Sequence, residues 1–264
     1  MATSTTGMRA SAFWTWLREC DPYPKSLAWC HTTDGYALRK IIQSGSFIPK
    51  PCRVFKEDLL YFFYGRPGYR VGDDSSLQIS SRAPVVVMLA NELILNGKRL
   101  FPFDTGAFKA KRYSQWMHKS MELKDFELEC PGDAPQRFVA AFFGSNRDYL
   151  RVKPRAPHLP YSGEFEVESI VTLLTDRRGS EADDRRTVVE LQSGSPVHLK
   201  PPIVRALIVP DELATAPFLV EYIKHAGSDI EIVGYPLTPL KQAKEYQALL
   251  EGVATQFQEK WGMV

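Results

Sequence analysis

The apolar residues of this chain come in short runs, and no run is long. The longest, residues 83–90, is about half of the roughly 20 residues that a membrane-spanning helix needs. Runs of this length, cut by Gly, Pro and charged residues, specify strands and short helices that share one core. Two of them, residues 59–64 and 85–89, are rich in β-branched and aromatic side chains and are expected as buried strands. With 44% hydrophobic residues among 264, the chain can bury enough apolar surface to offset its conformational entropy, which excludes intrinsic disorder.

The order of elements follows from periodicity. Residues 26–31 form a short strand, and Thr32-Thr33-Asp34 supplies capping chemistry for a helix ending at Gly45. Residues 108–122, 137–143, 167–174, 211–225 and 240–257 carry helical spacing, whereas 187–192, 204–209 and 230–233 read as strands and 97–105 as an irregular loop. Strand and helix do not alternate strictly, and no Gly-x-Gly-x-x-Gly or P-loop sequence follows a strand, so Rossmann and P-loop architectures are excluded. The expected class is α+β, with helices packed on a mixed or antiparallel sheet. Residues 1–12 read as a frayed tail and 13–264 as one domain.

Charge and cysteine usage narrow the function classes. Lys plus Arg number 33 against 31 Asp plus Glu, so a polyanionic partner has to be met by a local basic patch; residues 109–119 and 147–155 are the candidates. The four cysteines form no Cys-x-x-Cys pair and are expected as reduced thiols of a cytoplasmic protein, with no membrane partner. The five histidines lack metal-site spacing, so no metal is expected.

Three constellations carry chemistry. His31 stands where a strand turns into a helix, beside the hydroxyls of Thr32 and Thr33; the same residues also read as a plain helix cap with a satisfied core histidine. Arg53 and the stretch from Tyr61 to Arg70 combine aromatic faces with guanidinium groups suited to flat ligands and phosphates, or else form a core strand with a rigid turn. Glu190 interrupts the apolar run Val188-Val189-Glu190-Leu191, as a functional carboxylate or as an exposed one paired with Arg185 or Arg186.

Taken in order, His31-Thr32-Thr33, the aromatic strand Tyr61-Phe62-Phe63-Tyr64 and the late Glu190 resemble the motifs of the ADP-ribosyltransferase superfamily, nearest to its DNA-modifying toxin branch. The resemblance implies a transferase-like sheet core, NAD as co-substrate, and transfer of ADP-ribose to a nucleic-acid or protein acceptor by a toxin or defence effector. It implies Glu190 and Arg53 as catalytic residues and His31, Thr32, Thr33, Tyr61, Phe63, Tyr64 and Arg66 as the residues that hold NAD. A partner that neutralises so reactive an enzyme is a further expectation. The alternatives are a non-catalytic binding module of the same fold, and an interaction protein whose C-terminal helix docks a partner.

Overall fold

The computed structural model describes residues 10–68, 79–176, 184–226, 230–238 and 241–264. Its strands are β1 (Trp29–Asp34), β2 (Ser46–Phe47), β3 (Lys50–Cys52), β4 (Glu57–Tyr64), β5 (Pro84–Leu89), β6 (Arg99–Phe101), β7 (Glu190–Ser193), β8 (Val197–His198), β9 (Val204–Pro210) and β10 (Glu231–Tyr235). The helices are α1 (Ala12–Leu17), α2 (Gly35–Ser44), α3 (Thr105–Lys109), α4 (Ala134–Phe142), α5 (Asn146–Leu150), α6 (Phe165–Thr175), α7 (Asp211–Ala214), α8 (Pro217–Ala226) and α9 (Gln247–Lys260).

The main sheet runs in the order β10-β9-β5-β1-β4-β7-β6, with β3 paired to β4 and a separate small ladder of β2 with β8. Only β9 and β10 are parallel, which makes the sheet mixed. β5 is buried along its whole length because both faces of the sheet are covered. On one face Trp29, Phe62, Tyr64, Val85, Val87 and Leu191 pack into a core that includes Phe13, Phe138, Phe142 and Ile170 of the helices. On the other, Cys30, Val86, Met88, Ala206 and Ile208 meet Leu250, Ala254 and Phe257 of α9. Each such side chain contributes roughly 1.5–3 kcal/mol when fully buried.

Leu250, Ala254 and Phe257 of α9 are therefore spent on the sheet. The buried Gln258 of the same helix accepts from the Ala28 amide at 3.1 Å and donates to the Gly65 carbonyl at 2.6 Å, bridging the chain before β1 to the chain after β4.

Several expected boundaries hold. Asp34 caps α2 by accepting from the Ala37 amide at 2.7 Å, and Gly45 ends it with φ 68°, a left-handed conformation that a Cβ disfavours. Other boundaries move for local reasons. The expected helix over 108–122 is only α3 followed by turns: Asp104 starts the helix early, and Lys111, with φ 58°, ends it. That break lets Phe108 stack on Phe103 and Tyr113 meet the same ring edge-on. The expected loop over 97–105 contains β6, which pairs with β7. The expected helix over 211–225 is split into α7 and α8 before Pro217, since proline disfavours helix at the residue preceding it.

Residues 1–9 of the expected tail lie outside the described residues, while Ser11 caps α1 and donates to the Glu127 carbonyl at 2.7 Å, so the frayed segment does not extend to residue 12. The four cysteines are free thiols. No helix among the described residues is long and apolar enough to cross a membrane.

Replacing Gln258 with Ala leaves the Ala28 amide and the Gly65 carbonyl buried without this partner. The expected loss is about 2–4 kcal/mol of unfolding free energy, read by urea titration; a loss under 1 kcal/mol would show that the bridge is incidental.

Candidate functional site

Strands β1, β4 and β7 are neighbours in the sheet, so the three constellations separated by as many as 159 positions (His31 to Glu190, 190 − 31) lie on adjacent strands. Directly opposed residues of an antiparallel pair share a face, and faces alternate along each strand. Cys30 opposes Phe63, and Phe63 and Phe101 both oppose Glu190. Glu190 therefore shares its face with Phe63, Tyr61, Gln192 and Thr32. His31 and Thr33 point to the opposite face, with Phe62 and Leu191.

The pairing of β1 is lopsided. It runs against β5 over all six residues from Trp29 to Asp34, but against β4 it covers only Trp29 and Cys30. From His31 onward the β4-facing edge of β1 has no ladder partner among the described residues, and the two strands open into a wedge. His31 stands at its apex. Its Nδ1 lies 3.0 Å from the Tyr61 carbonyl; because a carbonyl only accepts, Nδ1 carries the proton. Burial pushes the imidazole pKa down to about 4, so the ring is neutral and Nε2 is a bare acceptor. Phe47 and Phe62 hold the ring at centroid distances of 4.8 and 5.5 Å. The Thr32 hydroxyl is buried with no hydrogen-bond partner, while Thr33 is half-buried.

Glu190 is 1% exposed and is met by three hydrogen bonds. The Thr105 hydroxyl donates to Oε1 at 2.7 Å, the Thr105 amide donates to Oε2 at 3.2 Å, and the Gln192 amide donates to Oε1 at 2.8 Å. Thr105 is placed by its neighbour: Asp104 caps α3 by accepting from the Ala107 amide, and Arg185 pairs with Asp104 at 2.5 Å. Arg185 therefore serves Asp104 and not Glu190, and Arg186 lies over the Trp116 ring at 5.2 Å. Burial, followed by the charge of Asp104, pushes the Glu190 carboxyl up to about 8 against the three donors that favour its anion. Burial thus favours the protonated form of this carboxyl.

The aromatics divide by environment. Tyr64 is fully buried, with Trp29 at 5.0 Å and its hydroxyl accepting from the Leu27 amide, and belongs to the core. Phe63 lies under Gly68, where an added Cβ would come within 2.7 Å of the ring. Tyr61 is half-buried, shares the Glu190 face, and donates to Cys52 Sγ at 2.7 Å; burial, the Cys52 bond and the charge of Glu190 all raise its pKa. It is the aromatic of the motif left open to a ligand.

The arginines are placed differently from expectation. Arg66, expected to meet a pyrophosphate, is 1% exposed, hydrogen-bonds the Thr187 hydroxyl and lies 5.6 Å over the Tyr149 ring. It braces the chain entering β7. Arg53 is exposed in the turn between β3 and β4 and makes no hydrogen bond or ion pair among the described residues, so nothing ties it to Glu190. Tyr69 and Arg70 lie outside the described residues. Lys109, Lys111, Lys119, Arg147, Arg151, Lys153 and Arg155 are exposed. The two basic segments leave from elements that grip Glu190: α3 through Thr105, and α5 through Tyr149, whose hydroxyl accepts from the Val189 amide at 3.2 Å. Sequence reasoning missed Thr105 and Tyr149; the Asp104-Thr105-Gly106 cap was a visible signal, but its apposition to Glu190 was not.

Among the described residues no group of three or more His, Cys, Asp and Glu side chains is placed to hold a metal ion. Comparisons of the chain with protein-family models, with curated proteins and with solved structures find no match.

The raised Glu190 pKa has a defined sign. The folded protein holds this proton more tightly than the unfolded chain, so the stabilising contribution is complete below about pH 4.5 and is lost as pH rises through about 8. Between pH 6 and pH 9 the melting temperature of the wild type should fall relative to that of Glu190→Gln, as read by circular dichroism. A difference that stays constant across this range would show that Glu190 does not titrate there.

Proposed function

We propose that the protein transfers ADP-ribose from NAD⁺ to a macromolecular acceptor. The observation that carries this reading is the adjacency of the strands of His31, Tyr61 and Glu190, β1, β4 and β7, with Tyr61 and Glu190 on one face of the sheet. In the transfer, the bond from the ribose C1′ to nicotinamide breaks and its electron pair goes to the pyridinium nitrogen. An acceptor oxygen or nitrogen bonds to C1′, and its proton goes to the Glu190 carboxylate, which releases its own proton to solvent when the cationic substrate binds.

Residues around the wedge suit these steps. On the face that Tyr61 and Glu190 share, the unpartnered Thr32 hydroxyl offers a hydrogen-bonding group to the ribose, whereas the Nε2 acceptor of His31 lies on the opposite face of the sheet. Tyr61 offers an aromatic face for the nicotinamide. A cationic pyridinium or oxocarbenium beside Glu190 favours its carboxylate, so substrate itself promotes the charged form that stabilises the transition state. The exposed cations beyond Thr105 and Tyr149 suit a polyanionic acceptor such as nucleic acid.

The near-complete burial of Glu190 favours a second reading, a non-catalytic module that holds nucleic acid through the same basic segments. Nicotinamide release from NAD⁺, measured with and without DNA, RNA and protein, separates the two. For a transferase, Glu190→Gln should lower release by about 10²-fold or more, and Tyr61→Ala should raise KM by roughly fivefold. Absence of release from the folded wild type under every condition would overturn the transferase reading. Binding of DNA or RNA that weakens when Lys109, Lys111, Arg147 and Arg151 are neutralised would then establish the binding module.

A further inference from the structure

Away from the Glu190 site, the chain carries a long acidic groove that neither reading uses. Its larger part, a depression of about 1170 Å³, lies between α1 and the segments at 124–129 and 164. Trp14, Trp16 and Leu128 give it an apolar floor. Among the described residues five acidic side chains line it, those of Glu19, Asp125, Glu127, Glu129 and Glu164, and one basic side chain, that of Lys124. Lys124 is already paired with Glu122 at 2.7 Å, and Arg18, outside the lining, pairs with Glu19 at 3.5 Å. Asp125, Glu127, Glu129 and Glu164 have no ion-pair partner among the described residues. Burial raises the pKa of Glu127, opposed by the more distant charge of Arg99, which is itself held by Glu57 at 2.5 Å.

A second depression of about 630 Å³ shares Asp125 with the first and adds Phe165, Glu166 and Glu168, where the chain runs on from Glu164 into α6. Phe165 is 65% exposed at its margin, a large apolar side chain of the kind that anchors interfaces. Among the described residues a chain of net charge +2 thus gathers seven acidic side chains in the linings of two depressions that share Asp125. A cationic partner with apolar side chains complements both the charge and the floor of the larger depression.

We propose that this groove is a docking site for a basic, amphipathic peptide segment of a partner protein, with Lys or Arg side chains meeting the carboxylates and alternate apolar side chains seated over Trp14, Trp16 and Phe165. It does not depend on the chemistry assigned to Glu190.

The test uses the full chain and a twelve-residue peptide of alternating arginine and leucine, with a serine-for-leucine peptide of equal charge as control, followed by tryptophan fluorescence and calorimetry. The leucine peptide should bind at least tenfold more tightly than the serine peptide. The exposed triple substitution Glu19→Gln, Glu129→Gln, Glu164→Gln should weaken it at least tenfold while leaving the melting temperature unchanged. Equal binding of the two peptides, or unaltered binding to the triple variant, would overturn the proposal. Binding that appears only after removal of residues 1–9 would do so too, by identifying the chain's own N-terminal segment as the occupant.

Discussion

A carboxyl group taken out of water must be met by donors or keep its proton, and the arrangement around Glu190 is organised by that constraint. Its two oxygens receive the Thr105 hydroxyl, the Thr105 amide and the Gln192 amide, and each donor needs its own support. Thr105 is the first residue of a short helix fixed by the Asp104 cap, and Asp104 is held by Arg185 from the chain entering β7. Gln192 is two residues along the same strand, its amide oxygen 3.5 Å from Arg99, which is ion-paired with Glu57 of β4. Arg66 and Tyr149 clamp the residues just before Glu190. The acid is thus tied to β4, β6, α3 and α5 at once.

The open edge of β1 is the complementary feature. β1 is anchored by β5 along its length and leaves β4 after Cys30, which frees the Tyr61 carbonyl for the His31 imidazole. Gln258 of α9 fixes the point of divergence, since it joins the residue before Trp29 to the residue after Tyr64. Below that bridge the strands are locked together; beyond it a wedge opens beside the half-buried Tyr61. The helix that covers one face of the sheet also sets where the wedge begins.

Much of the local structure was legible. Asp34 and Gly45 bracket α2 because a side-chain acceptor and a residue free to adopt positive φ are local requirements, satisfied by the residues themselves. The aromatic run of β4 and the β-branched run of β5 follow from composition alone. The helix expected over 108–122 failed because Phe108 and Tyr113 are recruited by Phe103 and Phe126 from other segments, a demand that spacing within the segment cannot express. At the site, residue types marked His31, Tyr61 and Glu190 as unusual, but Arg66, expected to meet a phosphate, is a buried brace.

By itself, then, the sequence determined the α+β class, the caps and strand-forming runs, and the presence of a lone acid in an apolar strand, because each rests on interactions within a few residues. Tertiary structure alone decided that β1, β4 and β7 lie side by side, that His31 and Glu190 point to opposite faces, that Thr105 rather than an arginine meets the carboxyl, and that seven acidic residues line two depressions that share Asp125. Those outcomes depend on strand order, register and burial, which arise from contacts between residues far apart in the chain.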